Sequence, residues 1–157
     1  NRSILYKTSD VRINDWLNKR LRREEFMPFA PVIREEVAND VINQFDHSDV
    51  SLKFMTSTVR CKNSFSLKSP ATVHIDGTAR PQIVSKESNL FIWHVLKEWE
   101  NLTNELALVN TSFNAHEEPI ICNETQGLSA LKNNCIDELW VIYENNKIRR
   151  YSNNSLY

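Results

Sequence analysis

The spacing of apolar residues divides the chain into a helical opening, a middle of short extended runs and a closing mixture of the two. Between residues 10 and 23, Val11, Ile13, Trp16, Leu17 and Leu21 form an apolar stripe of helical period. The segment "MPFAPVI" follows; its two prolines exclude a helix interior and predict an extended stretch. A second helix is predicted over residues 35–45, with Val37, Val41, Ile42 and Phe45 on one side. From residue 52 to residue 85 the pattern becomes "LKFMTSTVR", "ATVHID" and "ARPQIVS", three candidate strands. Residues 89–104 give the clearest helix, because Ile92, Val95, Leu96, Trp99 and Leu102 recur on one helical face. "LALVNTSFN" predicts a buried strand running into polar residues, "EPIIC" another strand, and residues 123–126 a capping box that opens a helix. "ELWVIYE", a turn at "NNK" and "IRR" complete the pattern. Strands mixed with helices in this way predict one α/β (α+β) domain around a twisted mixed sheet.

Two stretches stand out for the kind of polar residue they carry. If "VHIDGTARPQ" is extended, His74, Asp76, Thr78 and Arg80 share one face. "VNTSFN" repeats that parity with Asn110, Ser112 and Asn114, at the C-terminal end of a buried strand, where ligand crevices form in open α/β sheets. Short amides, hydroxyls and a single Arg suit fixed hydrogen bonds in a confined site better than a solvated face does. With the two strands adjacent, Arg80 offers a planar fork to a phosphate or carboxylate, and Asn110 and Ser112 offer neutral donors beside it. The same pattern also fits an edge face whose polar groups are satisfied locally.

Composition narrows the partners. At 157 residues the chain can bury a real core, and 19 Lys and Arg against 20 Asp and Glu leave a net charge of −1. Such a balance gives no global field for nucleic acid or an anionic membrane, so any anion must be held by a local patch. The one dense basic cluster, "NKRLRREEF", reads as the solvated end of a helix or as a phosphate clamp. Three cysteines with no CxxC spacing fit a reducing cytoplasm, and no apolar run reaches the length of a membrane span. Two glycines exclude a Gly-rich phosphate loop, so a nucleotide would be held by side chains. The four histidines lack HxxH or HExxH spacing, which predicts no metal site, and "NTSFN" lacks the GxSxG elbow of a serine nucleophile.

"NRSIL", "REEFMPFAPVI", "VHIDGTARPQIV" and "LVNTSFNAHEEPIIC", in that order, resemble the C-terminal domain of the O-carbamoyltransferases of the NodU/CmcH type. The resemblance implies a YrdC-like fold that binds ATP, with Mg²⁺ accompanying it, and carbamoyl phosphate. It implies that the two are joined as carbamoyl-adenylate, with release of pyrophosphate, for transfer to a hydroxyl acceptor. It further implies a preceding kinase-like domain, with residues 1–5 ending the linker from it, on a domain spanning 1–157; the Asn/Ser-rich end, residues 151–157, reads from its composition as a frayed tail. By matching position, Arg80 and Ser112 would be catalytic, and Arg23, Arg80, Asn110, Ser112 and Asn114 would contact nucleotide and carbamoyl phosphate. The chain departs from the family pattern at Leu21, where a lysine is usual, at Met27, where a second arginine is usual, and at Glu117. Lys19, Arg20 or Arg22 would then have to supply the missing charge. Without it, the alternative is a non-catalytic module that binds a nucleotide or RNA.

Overall fold

The computed structural model describes residues 1–21, 28–115, 118–145 and 147–152. They form a mixed α/β fold, as the sequence predicts. The chain divides into two compact units, one of residues 5–16 and 26–111, the other of residues 1–4, 17–25 and 112–157.

In chain order the first elements are β1 (Ser3–Lys7), α1 (Ile13–Arg20), β2 (Ala30–Arg34) and, after a 3-10 turn at Glu35–Val37, α2 (Ala38–Val41). Then come β3 (Val59–Arg60), α3 (Asn63–Lys68), β4 (Thr78–Ala79), β5 (Gln82–Val84), α4 (Leu90–Thr103) and β6 (Ala107–Ser112). A four-stranded sheet runs β1-β6-β2-β5. Within it β2 is parallel to β5, in the register Val32 to Gln82, and antiparallel to β6, in the register Ala30 to Asn110.

Alternation along β2 sends successive residues to opposite faces, and each face has its own core. Val32, Val84 and Leu108 pack with Ile92 and Leu96 of α4. Ile33, Ile83 and Ala107 pack on the other side with Ala38, Val41, Ile42, Leu52, Cys61 and Phe65. The helix α4 is bounded as its sequence dictates: the Asn89 side chain accepts a hydrogen bond from Ile92 N, and Asn104 ends it in a left-handed conformation.

Residues 112–157 contribute α5 (Glu124–Lys132) and a hairpin of β7 (Glu138–Ile142) and β8 (Ile148–Ser152). The Tyr143 and Tyr151 hydroxyls both donate to the Glu124 carboxylate, at 2.8 and 2.5 Å, fastening the hairpin to the helix. Gly127 fits the helix because a Cβ there would stand 3.0 Å from the Leu139 methyls.

Several expectations need correction. The first helix starts at Ile13, so Val11 is exposed; its predicted end at residues 22–23 lies outside the described residues. The predicted 35–45 helix is only the short 3-10 turn and α2, after which Ile42 bridges to Cys61. "LKFMTSTVR" is not a strand over most of its length: Asp49 caps a 3-10 turn at Val50–Lys53, Met55 has a positive φ, and only Val59–Arg60 pair. "ATVHID" opens with a 3-10 turn at Pro70–Thr72, and α3 was not foreseen. "EPIIC" forms no strand; Pro119 lacks an N–H, and Ile121 N makes a single bond to Phe113 O.

Truncating Ile33, which is fully buried, to Ala should cost about 2–5 kcal/mol of unfolding free energy in urea titration. Leu67→Ala, at an exposed site, should change it by less than about 0.5 kcal/mol.

Candidate functional site

The stretch "VHIDGTARPQ" is a turn followed by a change of sheet. His74 N donates to Thr78 O at 2.7 Å and Gly77 N to His74 O at 2.9 Å, closing a loop in which Gly77 takes φ +79. Glycine occupies that conformation without the Cβ clash other residues incur. Asp76 Oδ1 accepts from Thr78 N at 3.0 Å and from Thr78 Oγ1 at 2.6 Å. The Thr78 hydroxyl has one proton and gives it to Asp76, so His74 Nδ1, 2.9 Å from that oxygen, carries the proton between them. Arg60 Nη1 donates to Asp76 O at 3.0 Å, and Cys61 N to Gly77 O at 3.0 Å. The polar face expected from alternation is therefore spent on holding a turn. Short polar side chains beside a glycine bond their own backbone more readily than they extend.

Arg80 follows directly, between β4, which pairs with β3, and β5, which pairs with β2. Pro81 has no N–H to continue either ladder. Arg80 is exposed and makes no hydrogen bond or ion pair with a described residue. Two residues further on, Gln82 opens β5 and accepts from Asn110 Nδ2 at 2.5 Å. This bond spans β2, from β6 on one side to β5 on the other. Asn110 is only 8% exposed, and its Oδ1 has no hydrogen-bond partner. Leaving such an acceptor unmet costs about 1–3 kcal/mol. Asn14 Oδ1, Trp99 Nε1 and Glu105 Oε2 are unmet in the same way; a water or a ligand that brings a donor would satisfy such an atom.

This corrects two features of the expected site. The Asn110 amide nitrogen is committed to Gln82, so what Asn110 presents is an acceptor and not the donor anticipated. Its position is also not the C-terminal end of a parallel sheet: β6 is antiparallel to β2, so Asn110 lies beside the first residues of β2 and β5. At the opposite end of those strands is a cavity of about 280 Å³ lined by Glu35, Glu36, Asn39, His47, Ser85, Lys86 and Glu87. Its three carboxylates would repel a polyphosphate. The Arg80 end is the better match for anions.

The remaining expected residues fall elsewhere. Ser112 ends β6, and its Oγ donates to Asn114 Oδ1 at 2.5 Å. Asn114 Nδ2 donates to Ala115 O at 3.1 Å and Glu118 O at 3.0 Å, which ties down the loop after the strand. Arg23, with Arg22, Met27 and Glu117, lies outside the described residues. Leu21, at the position of the family's lysine, is 1% exposed and belongs to the core. Arg20 is committed to Asp137 at 2.8 Å, whereas Lys19 is exposed.

Sequence reasoning missed Gln82, although its parity with Arg80 could have exposed it. It also missed Arg34, buried at the end of β2 and paired with Glu100 and, at 3.6 Å, Glu36. The run "VIREE", a cation straight after a buried strand, carried that signal. Burial pushes the Cys61 thiol up to about 11, so it stays protonated near neutral pH and is no nucleophile. Among the described residues, no three His, Cys, Asp or Glu side chains are grouped to hold a metal ion, and no helix is long and apolar enough to cross a membrane.

Residues 1–147 match the carbamoyltransferase C-terminus family, and the chain belongs to it. It is 34% identical over 142 residues to nodulation protein NolO of Bradyrhizobium diazoefficiens, covering 90% of this chain and 26% of that protein. With nodulation protein U of Rhizobium tropici it shares 35% identity over 115 residues, which is 73% of this chain and 19% of that one. An uncharacterized protein of Methanocaldococcus jannaschii is 32% identical over 143 residues, 90% of this chain and 23% of that protein. The chain thus spans about a quarter or less of the length of these relatives.

The turn yields a titration test. Hydrogen bonds from Thr78, its side chain first and its backbone second, hold the Asp76 carboxyl below its ordinary value. A depressed folded-state value contributes stability above the unfolded-state value, about 3.9 for Asp, and loses it as pH falls through the folded-state value. Thr78→Val should therefore raise the Asp76 pKa in an NMR titration. Gly77→Ala should lower stability by about 1–2 kcal/mol, with Gly77→Asn costing less.

Proposed function

We propose that this chain activates a carbamoyl group at the expense of ATP, as one part of an O-carbamoyltransferase. The observation that carries the proposal is family membership over residues 1–147, a span that includes both "ARPQ" and "NTSFN". In this reading carbamoyl phosphate loses its phosphate to water, and an oxygen of the resulting carbamate attacks the α-phosphorus of ATP. The α–β phosphoanhydride bond breaks, pyrophosphate leaves, and carbamoyl-adenylate remains. Atom balance requires both phosphate and pyrophosphate as products.

Joining two anions needs fixed cations and donors more than a protein nucleophile. The guanidinium of Arg80, exposed and without a partner among the described residues, fits a phosphate group, and Arg23 would add a second cation. Asn110, Ser112 and Asn114 would orient the mixed anhydride. Mg²⁺ would enter with the polyphosphate. A YrdC-like arrangement, a kinase-like domain that receives the carbamoyl group, and a cytoplasmic setting belong to the same proposal. With Leu21 buried and Arg20 engaged by Asp137, Lys19 is the described residue best able to replace the family's lysine.

The buried Leu21 favours one competing reading, a module that binds nucleotide without catalysis. Exchange of labelled pyrophosphate into ATP separates the two. Exchange that requires carbamoyl phosphate, and falls at least about 100-fold in Arg80→Ala, is the expected result. ATP binding with no exchange would leave only the module.

A further inference from the structure

We infer that Gln82 is a positioning residue that turns the Asn110 side chain so its carbonyl oxygen meets an amine-bearing ligand. The inference rests on the proposed function for the identity of that ligand. The chemistry it names, an N–H₂ group on a trigonal carbon, comes from the orientation of one amide.

A side-chain amide is two-faced: rotation by half a turn exchanges acceptor for donors. Asn110 is nine-tenths buried on β6, and Ala30 and Val32 of β2 lie between it and Gln82 on the same face of the sheet. Gln82 Oε1, reaching across β2, takes Asn110 Nδ2 at 2.5 Å. That bond fixes the rotation and leaves Oδ1 unmet.

An unmet acceptor selects for donors. It repels phosphate and carboxylate oxygens, which also only accept, and it favours a planar amine. In this orientation Asn110 cannot share the anion-holding role of Arg80, two residues before Gln82. It reads the neutral end of the ligand instead.

Two donors of this class occur among the proposed substrates: the amine of the carbamoyl group and the exocyclic amine of adenine. Each has a partner molecule that lacks it. Acetyl phosphate replaces the carbamoyl amine with a methyl group, and inosine triphosphate replaces the adenine amine with a carbonyl oxygen.

Affinities of the complete protein for carbamoyl phosphate against acetyl phosphate, and for ATP against inosine triphosphate, measured by calorimetry, test the inference. We expect a preference of about tenfold or more for the amine-bearing member in at least one pair. Whichever pair shows it identifies the donor. Gln82→Met, which removes the anchor, should reduce that preference toward unity. Gln82→Glu, which still accepts from Asn110 Nδ2, should restore it, an outcome that a merely structural role would not give. Equal affinity within both pairs for the unaltered protein overturns the inference, whether or not the variants fold. A preference that survives Gln82→Met overturns the role of Gln82 and leaves the proposed function intact. If none of the four compounds binds, the inference and the proposed function fall together.

Discussion

The fold depends on burying β2 from every side. Its five residues are all buried: β5 and β6 close its two edges, and separate cores cover its two faces. Val32 and Ile33 supply apolar groups to opposite faces, while Pro31 precedes the point where pairing with β5 begins, at Val32, so its missing N–H costs no bond in that ladder. Arg34 ends the strand with a buried charge compensated by Glu100 and Glu36 and stacked 5.4 Å from the Trp93 ring. Trp93 Nε1 in turn donates to Glu36 at 2.9 Å. Because Glu100 and Trp93 both belong to α4, an ionic lock fixes at one end what apolar packing fixes along the strand. Loss of both carboxylates would leave a buried cation unpaired.

The same strand sets the two ends of the sheet apart in character. At the end of β2 that carries Arg34, carboxylates predominate and the available cations are engaged by them or by Trp93, over which Lys86 Nζ lies at 4.4 Å. At the other end, where the chain passes from one sheet to the next, Arg80 has no partner among the described residues and, two residues on, Gln82 holds the Asn110 amide from across β2. By charge alone, the second end repels an anion less than the first does.

Much of the fold was legible because its strongest determinants are periodic. The stripe of α4, the buried run of β6 and the β7–β8 hairpin carry their own signals, and Asn89 and Asn123 cap helices as their positions suggest. The middle of the chain was not legible. Between Asp49 and Thr78 the determinants are side chains that bond locally, at Asp49 and Asp76, together with positive φ at Met55 and Gly77. Alternation does not register such events, so runs that looked extended are turns. The candidate site was half visible for the same reason. Its residue types were apparent, but the orientation of Asn110 depends on Gln82, a neighbour in space that lies 28 residues away in the chain.

The tryptophans make the division of the chain optically accessible. Trp93, 8% exposed, is held beneath cationic groups in the larger unit, whereas Trp140, 55% exposed, lies open on the hairpin of the smaller one. An indole shielded from water emits toward the blue and one in contact with it toward the red. The other two tryptophans, Trp16 and Trp99, also lie in the larger unit, so among the four only the red-shifted emission of Trp140 reports on the melting of the smaller one.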